Sequence, residues 1–246
     1  MTIPTLGFLY PGHAAEDDYP RMAGVMGGRV GVEVVHTSVG VDAHRVDALL
    51  DLGGSGRLLE GASALKERGV DCAVWACTSG SFVFGWDGAR RQVSEIEKFL
   101  GVPASSTSFA FVNALRAIGA RRVAIAATYP EDVARAFDAF LAEDGVETLS
   151  VGSEDIITAT EVGTLGRERV VSFVTAGDHP DAQAVLVPDT ALHTIEWLGE
   201  LEDATGKPVL TANQVSMWEA LRLVESLQPE DGLGALFATP YRAQAR

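Results

Sequence analysis

Along the 246-residue chain, short apolar runs alternate with stretches whose apolar residues recur at helical spacing. Leu6-Gly7-Phe8-Leu9-Tyr10, Val30 to Thr37 and Asp71 to Ala76 read as strands. Arg122 to Ala127, Glu147 to Val151 and Ala184 to Val187 follow in the same style. Short, nearly continuous apolar runs are the signature of strands covered on both faces. Val46 to Arg68, Arg90 to Leu100, Val112 to Ile118, Glu131 to Glu143 and Met217 to Leu227 carry the helical period. Gly69, Gly101, Gly119 and Gly145 fall just after helical stretches, where a left-handed cap favours glycine. Strands alternating with crossover helices imply an α/β fold built on parallel sheets.

The pattern repeats. Gly101-Val102-Pro103 is followed by Asn113-Ala114-Leu115-Arg116, and Gly206-Lys207-Pro208 by Glu219-Ala220-Leu221-Arg222. Tyr10-Pro11 ends the first strand of the chain, and Tyr129-Pro130 ends the first strand of a second half. Cys72-Ala-Val-Trp-Ala-Cys77-Thr78 matches Gln183-Ala-Val-Leu-Val-Pro-Asp189-Thr190 with one residue inserted. Matches in the same order point to duplicated half-domains. The expected division is residues 1–116 plus 214–246 for the half with Cys77, and 117–213 for the half with Asp189. Two similar halves sharing one cleft are expected, not one undivided core.

Parallel sheets bind ligands outside the carboxyl ends of their strands. Loops beginning at Tyr10, Cys77, Tyr129 and Asp189 qualify, so Cys77 and Asp189 would face a ligand from opposite sides. Cys77-Thr78-Ser79-Gly80-Ser81 is the sharpest motif. Backbone N–H groups and a helix start after Cys77 would favour its thiolate, and Thr78 and Ser79 supply donors for a carboxylate. The plainer alternative is a buried free cysteine. Asp189 reads either as a cap on the following turn or as an acid whose proton is held by burial. Tyr129 is a phenol for a substrate oxygen or a satisfied core residue, and Asn213 caps the last helix or binds ligand. Tyr10, Pro11 and Thr190 complete the set expected to contact substrate.

Composition removes other classes. With 34 acidic against 19 basic residues the net charge is −15, which argues against nucleic acid as a partner. No apolar stretch reaches the length that spans a bilayer, and the first residues lack a signal-peptide pattern, so no membrane partner and a reducing, cytoplasmic setting are expected. Cys72 and Cys77, five residues apart along a strand, point to opposite faces and are not expected to bridge. The five histidines, His13, His36, His44, His179 and His193, show no metal spacing, so no metal is expected. Gly53, Gly54 and Gly56 lack a Walker lysine and no dinucleotide fingerprint appears; they read as a loop. Asp87, Arg90 and Arg91 read as a solvated helix start, and Glu16-Asp17-Asp18 as an exposed acidic run.

Four stretches carry a resemblance to a known family: Cys77 to Phe82, Leu115 to Ala124, Ala127-Thr128-Tyr129 and Trp218-Glu219-Ala220-Leu221-Arg222. The chain resembles the aspartate/glutamate racemase superfamily over nearly its whole length, in the branch of maleate cis–trans isomerases and arylmalonate decarboxylases. The resemblance implies two pseudo-symmetric flavodoxin-like halves, no cofactor, a small carboxylate substrate and, as in other members, room for a homo-oligomer. The family sets a cysteine from each half across the substrate; here these positions fall on Cys77 and Asp189. Arylmalonate decarboxylases keep only the second-half cysteine, and their oxyanion-binding Thr-Ser pair and tyrosine match Thr78, Ser79 and Tyr129. Maleate isomerases use the first-half cysteine as nucleophile, but their first-strand-loop asparagine is missing from Pro11-Gly12-His13-Ala14-Ala15. Unequal groups at the two positions disfavour a symmetric racemase. The leading expectation is a cofactor-independent isomerase of a small carboxylic acid, with Cys77 as nucleophile or base and Asp189 as acid or orienting group. The alternatives are a decarboxylase of substituted malonates and a non-catalytic carboxylate-binding protein.

Overall fold

The computed structural model describes residues 3–12, 14–238 and 240; His13 lies outside the described residues. In the first half, the chain runs β1 (Thr5–Pro11), α1 (Asp18–Val25), β2 (Gly31–Thr37), α2 (Val46–Leu52) and α3 (Ser55–Arg68). It continues with β3 (Cys72–Trp75), α4 (Ser79–Phe82), α5 (Gly85–Leu100), β4 (Ala104–Ser106) and α6 (Thr107–Ile118). The second half begins with β5 (Arg122–Ala127), α7 (Glu131–Ala142), β6 (Glu147–Ser153), α8 (Ala159–Val162) and α9 (Arg167–Gly177). It continues with β7 (Ala184–Val187), α10 (Leu198–Thr205) and β8 (Val209–Thr211), and the chain closes with α11 (Ala212–Leu223) and α12 (Gly234–Ala238), which the expected division returns, from residue 214 on, to the half with Cys77.

The strands form two parallel four-stranded sheets, β2-β1-β3-β4 and β6-β5-β7-β8. The order is the same in both, so the duplication read in the sequence is a duplication of topology. The fold is α/β, with helices flanking each sheet. Strand β3 is buried at every position, as is β7, which is why both read as unbroken apolar runs. One apolar core joins the inner faces of both sheets, from Leu6, Phe8 and Val74 to Val123, Ile125 and Leu186. Smaller clusters fill the outer faces, one around Leu58, Leu65 and Trp75 and another around Val170, Phe173 and Leu201. The halves therefore share more than a cleft.

Two differences from the sequence reading have local causes. Val46 to Arg68 is two helices, because the chain breaks at Gly53-Gly54. A Cβ at Gly53 would lie 2.1 Å from the Gly80 carbonyl oxygen, so α4 packs directly on this backbone. Glu16-Asp17-Asp18 is not an exposed run throughout. Asp18 is buried at the start of α1, where its carboxylate accepts from Asn213 Nδ2 at 3.1 Å and the Thr194 amide at 3.3 Å. The edge strands β4 and β8 have three residues each, too few to show a period.

Candidate active site

The chain leaves β3 at Trp75 and turns through Cys77 into the four-residue helix α4. Cys77 is 3% exposed; its Sγ accepts from the Gly80 amide at 3.3 Å and lies 3.8 Å from Ser79 Oγ. A Cβ at Gly80 would meet Cys77 Sγ at 3.0 Å and the Trp75 ring at 3.1 Å, so glycine there lets the amide reach the sulfur. Burial pushes the Cys77 thiol up to about 12, against the Gly80 and Ser79 hydrogen bonds and with help from the Asp189 charge. Cys77 is therefore a thiol at neutral pH. The thiolate expected from the local N–H groups is outweighed by desolvation.

Asp189 occupies the equivalent turn after β7. Its Oδ2 accepts from Thr128 Oγ1 and its Oδ1 from the Ala191 amide at 2.9 Å, so it caps a turn while also facing the cavity. Neighbouring contacts fasten the strand ends together. The Tyr10 hydroxyl donates to the Thr190 carbonyl at 2.7 Å and accepts from the Ala15 amide at 3.0 Å. The Tyr129 hydroxyl donates to the Pro188 carbonyl at 2.8 Å. Asn213 Nδ2 donates to Asp18 Oδ2 and to the Thr190 carbonyl, both at 3.1 Å, and its Oδ1 accepts from the Tyr19 hydroxyl at 3.1 Å. Burial raises both the Tyr10 and Tyr129 phenols, so they are neutral donors.

These elements enclose a cavity of about 190 Å³. Of the residues singled out in the sequence, Tyr10, Pro11, Cys77, Ser79, Asp189 and Thr190 line it; Thr78, Tyr129 and Asn213 do not. Tyr129 and Asn213 instead bond the backbone and side chains behind the cavity wall. Thr78 is completely buried beneath Cys77.

The remaining wall comes from the loop after β2, which the sequence reading passed over although it too follows the carboxyl end of a parallel strand. Val39, Val41, Asp42, Ala43 and His44 face the cavity, followed by Leu49 and Leu52 of α2. The loop crosses to the second half. Asp42 accepts from the Ala159 amide at 2.8 Å and from the Thr160 amide at 3.1 Å and hydroxyl at 2.6 Å. Partial burial of Asp42 works against these bonds, which nevertheless hold its carboxyl below the ordinary range. His44 is 5% exposed, with Nδ1 3.0 Å from the Ile156 carbonyl oxygen and Nε2 3.8 Å from Asp189 Oδ2. Its ring meets that of Tyr129 edge-on at 4.8 Å. A lone histidine in a polar stretch gives no sequence signal for such a position. Among the described residues, no cluster of His, Cys, Asp or Glu could hold a metal ion, and no helix is long and apolar enough to cross a membrane.

Comparison with known proteins matches this architecture. A family model described as arylmalonate decarboxylase matches residues 52–237. The arylmalonate decarboxylase of Bordetella bronchiseptica is 30% identical over 186 residues, covering 73% of this chain and 76% of the relative. A maleate isomerase of Alcaligenes faecalis is 24% identical over 173 residues, covering 68% and 67%. The crystal structure of a cysteine-to-alanine variant of maleate isomerase from Pseudomonas putida S16 with maleate superposes with a TM-score of 0.90 at 17% identity. It covers 98% of this chain and 99% of that one, a likeness of fold. The chain belongs to the arylmalonate decarboxylase family, in the branch of aspartate/glutamate racemase-like enzymes that also holds the maleate isomerases.

Proposed function

We propose that the protein is a cofactor-independent decarboxylase of a malonate bearing an apolar substituent, with Cys77 as the proton donor. The observation that carries this reading is the placing of Cys77: a buried sulfur on the wall of a largely apolar cavity, where desolvation favours the neutral thiol. A thiol that keeps its proton at neutral pH is suited to delivering it. In the reaction, the bond to one carboxylate breaks and carbon dioxide leaves. The electron pair spreads into the remaining carboxylate as an enediolate. Cys77 then transfers its Sγ proton to the carbon, and the resulting thiolate is reprotonated for the next turnover. Ser79 Oγ and Thr190 stand at the wall as donors for the developing charge. Val39, Val41, Leu49 and Leu52 fit a hydrocarbon or aryl group. The family match and the Bordetella relative support the same reaction class.

A second reading has its own support. Cys77 follows β3 of the first sheet, at the position where the family resemblance puts the nucleophilic cysteine of the isomerases, and a maleate isomerase is among the relatives. In that reading Cys77, as thiolate, adds to the double bond of a small unsaturated diacid, the adjacent bond rotates, and the thiolate leaves. Asp189 acts as acid or orienting group. The resting thiol would have to lose its proton first, which is why this reading stands second.

Incubation with phenylmalonate or maleate in deuterated water, followed by NMR, separates the two. Phenylmalonate should yield phenylacetate carrying one new deuterium, and Cys77→Ala should lower the rate by about 10²–10⁴-fold. Wild-type rate in Cys77→Ala would sink the role of the thiol. Conversion of maleate to fumarate with phenylmalonate untouched would put the second reading first.

A further inference from the structure

Gln92, on α5, takes no part in either reaction and does not line the cavity, yet its side chain is buried beside the turn that carries Cys77. Its Nε2 donates to the Gly53 carbonyl at 2.8 Å and to the Gly80 carbonyl at 2.9 Å. Both partners only accept, so both amide hydrogens are in use and the orientation of the group is fixed. Its Oε1 meets no donor among the described residues. A buried acceptor without a donor is destabilising. An apolar side chain of the same length would avoid that cost, but it could not hold two carbonyls at once.

Both carbonyls belong to segments that shape the cavity. Gly80 is the residue whose amide donates to Cys77 Sγ at 3.3 Å. Glycine is required there, since a Cβ would meet the sulfur at 3.0 Å and the Trp75 ring at 3.1 Å. Glycine also has the widest backbone freedom, so the donor facing the sulfur sits on the residue least able to hold its own conformation. Elsewhere the turn is tied from behind. Ser108 Oγ donates to the Thr78 carbonyl at 3.0 Å, and Ser81 Oγ donates to Ser106 Oγ at 3.0 Å. At Gly80 the tie comes from Gln92. The other anchor, Gly53, directly follows α2, whose Leu49 and Leu52 form part of the apolar wall.

We propose that Gln92 is a positioning residue for Cys77: by bridging Gly80 to Gly53 it holds the Gly80 amide on Sγ and the sulfur in place against the apolar wall. The inference rests on the proposed function in giving Cys77 its chemical role, and it holds whether the sulfur delivers a proton or adds to a double bond. In both reactions the sulfur starts as a neutral thiol and becomes negative along the way. The Gly80 donation is then charge-assisted and roughly twice as strong. A bond that strengthens as charge develops lowers the barrier without tightening the hold on bound substrate.

Two variants test the assignment. Gln92→Met keeps the length of the side chain but donates nothing. Gln92→Asn keeps the amide but, one methylene shorter, cannot span both carbonyls. The first measurement needs no substrate. Amide hydrogen exchange followed by NMR in the intact protein should show Gly80 exchanging about tenfold faster or more in both variants, with Ala73 and Val74 of β3 protected as in the wild type. Wild-type protection of Gly80 in either variant, or a loss shared equally by β3, would overturn the proposal. In the second measurement, turnover of whichever probe the wild type converts, phenylmalonate or maleate, should fall about tenfold or more in kcat, with KM within about twofold. An unchanged kcat, or a loss confined to KM, would also overturn it. A wild type that converts neither probe would count against the proposed function, and the exchange of the Gly80 amide would still decide whether Gln92 holds it on the sulfur.

Discussion

At the scale of single residues, Asp18 shows how far burial can change what a side chain does. In the sequence it ends an acidic run and looks solvated. In the fold it sits under the first turn of α1, and burial raises it to about 6 despite the Asn213 and Thr194 hydrogen bonds. A carboxyl whose folded value lies above its unfolded one, about 3.9, binds more protons in the folded state between those pH values. Stability contributed by the protonated group is therefore complete below about pH 4 and is lost as pH rises toward and past 6. Asp18→Asn keeps an acceptor for Asn213 and the Thr194 amide, and should remove on the order of 2 kcal/mol of pH dependence between pH 4 and 7.5. Urea unfolding of both proteins at the two pH values checks this; an undiminished pH dependence in the variant would assign it to another group. Cys77 follows the same physics. Its neighbours in sequence favour a thiolate, but its desolvation is a tertiary property.

The elements themselves were largely legible. Strands β1, β2, β3, β5, β6 and β7 and the helices α5, α6, α7 and α11 all announce themselves by period and length, with ends displaced by a few residues. What periodicity could not show is where two segments touch. The break between α2 and α3 is the clearest case, because Gly53-Gly54 by itself reads only as a loop. Gln92 Nε2 donates to both the Gly53 carbonyl at 2.8 Å and the Gly80 carbonyl at 2.9 Å, stitching the break to the turn that holds Cys77. Gly53→Ala would place a methyl 2.1 Å from the Gly80 oxygen and 2.7 Å from the Phe84 ring. It should cost about 1–3 kcal/mol in chemical denaturation and shift the Cys77 turn. Gly56→Ala, in α3 with nothing within 4 Å of the new Cβ, is the control and should be neutral or slightly stabilising. Equal stability of the two variants would refute the close-approach argument.

For the molecule as a whole, the repeat has a physical consequence where its two copies meet. Helices α6 and α11 are repeat-related and pack against each other. Their matched residues Asn113 and Glu219 are joined by a hydrogen bond of 2.9 Å. Glu219 is fully buried and also accepts from Ser105 Oγ at 2.7 Å and from the Arg222 guanidinium at 2.7 and 2.8 Å. Removing it leaves several donors without their acceptor. Glu219→Ala should destabilise the protein by about 3 kcal/mol, read as a shift of the unfolding midpoint; a change under about 0.5 kcal/mol would mean that these donors find other partners.

The amino-acid sequence determined the class of fold, the duplication and the two turns that carry Cys77 and Asp189. Periodicity and repeated motifs are properties of neighbouring residues, so they are written along the chain. The common core of the two sheets, the protonation of Cys77 and the burial of Asp18 were decided only in three dimensions. The same is true of the placing of His44 against Asp189, 145 positions away in sequence. Desolvation and charge pairing depend on which distant segments exclude water from one another, and no local pattern records that.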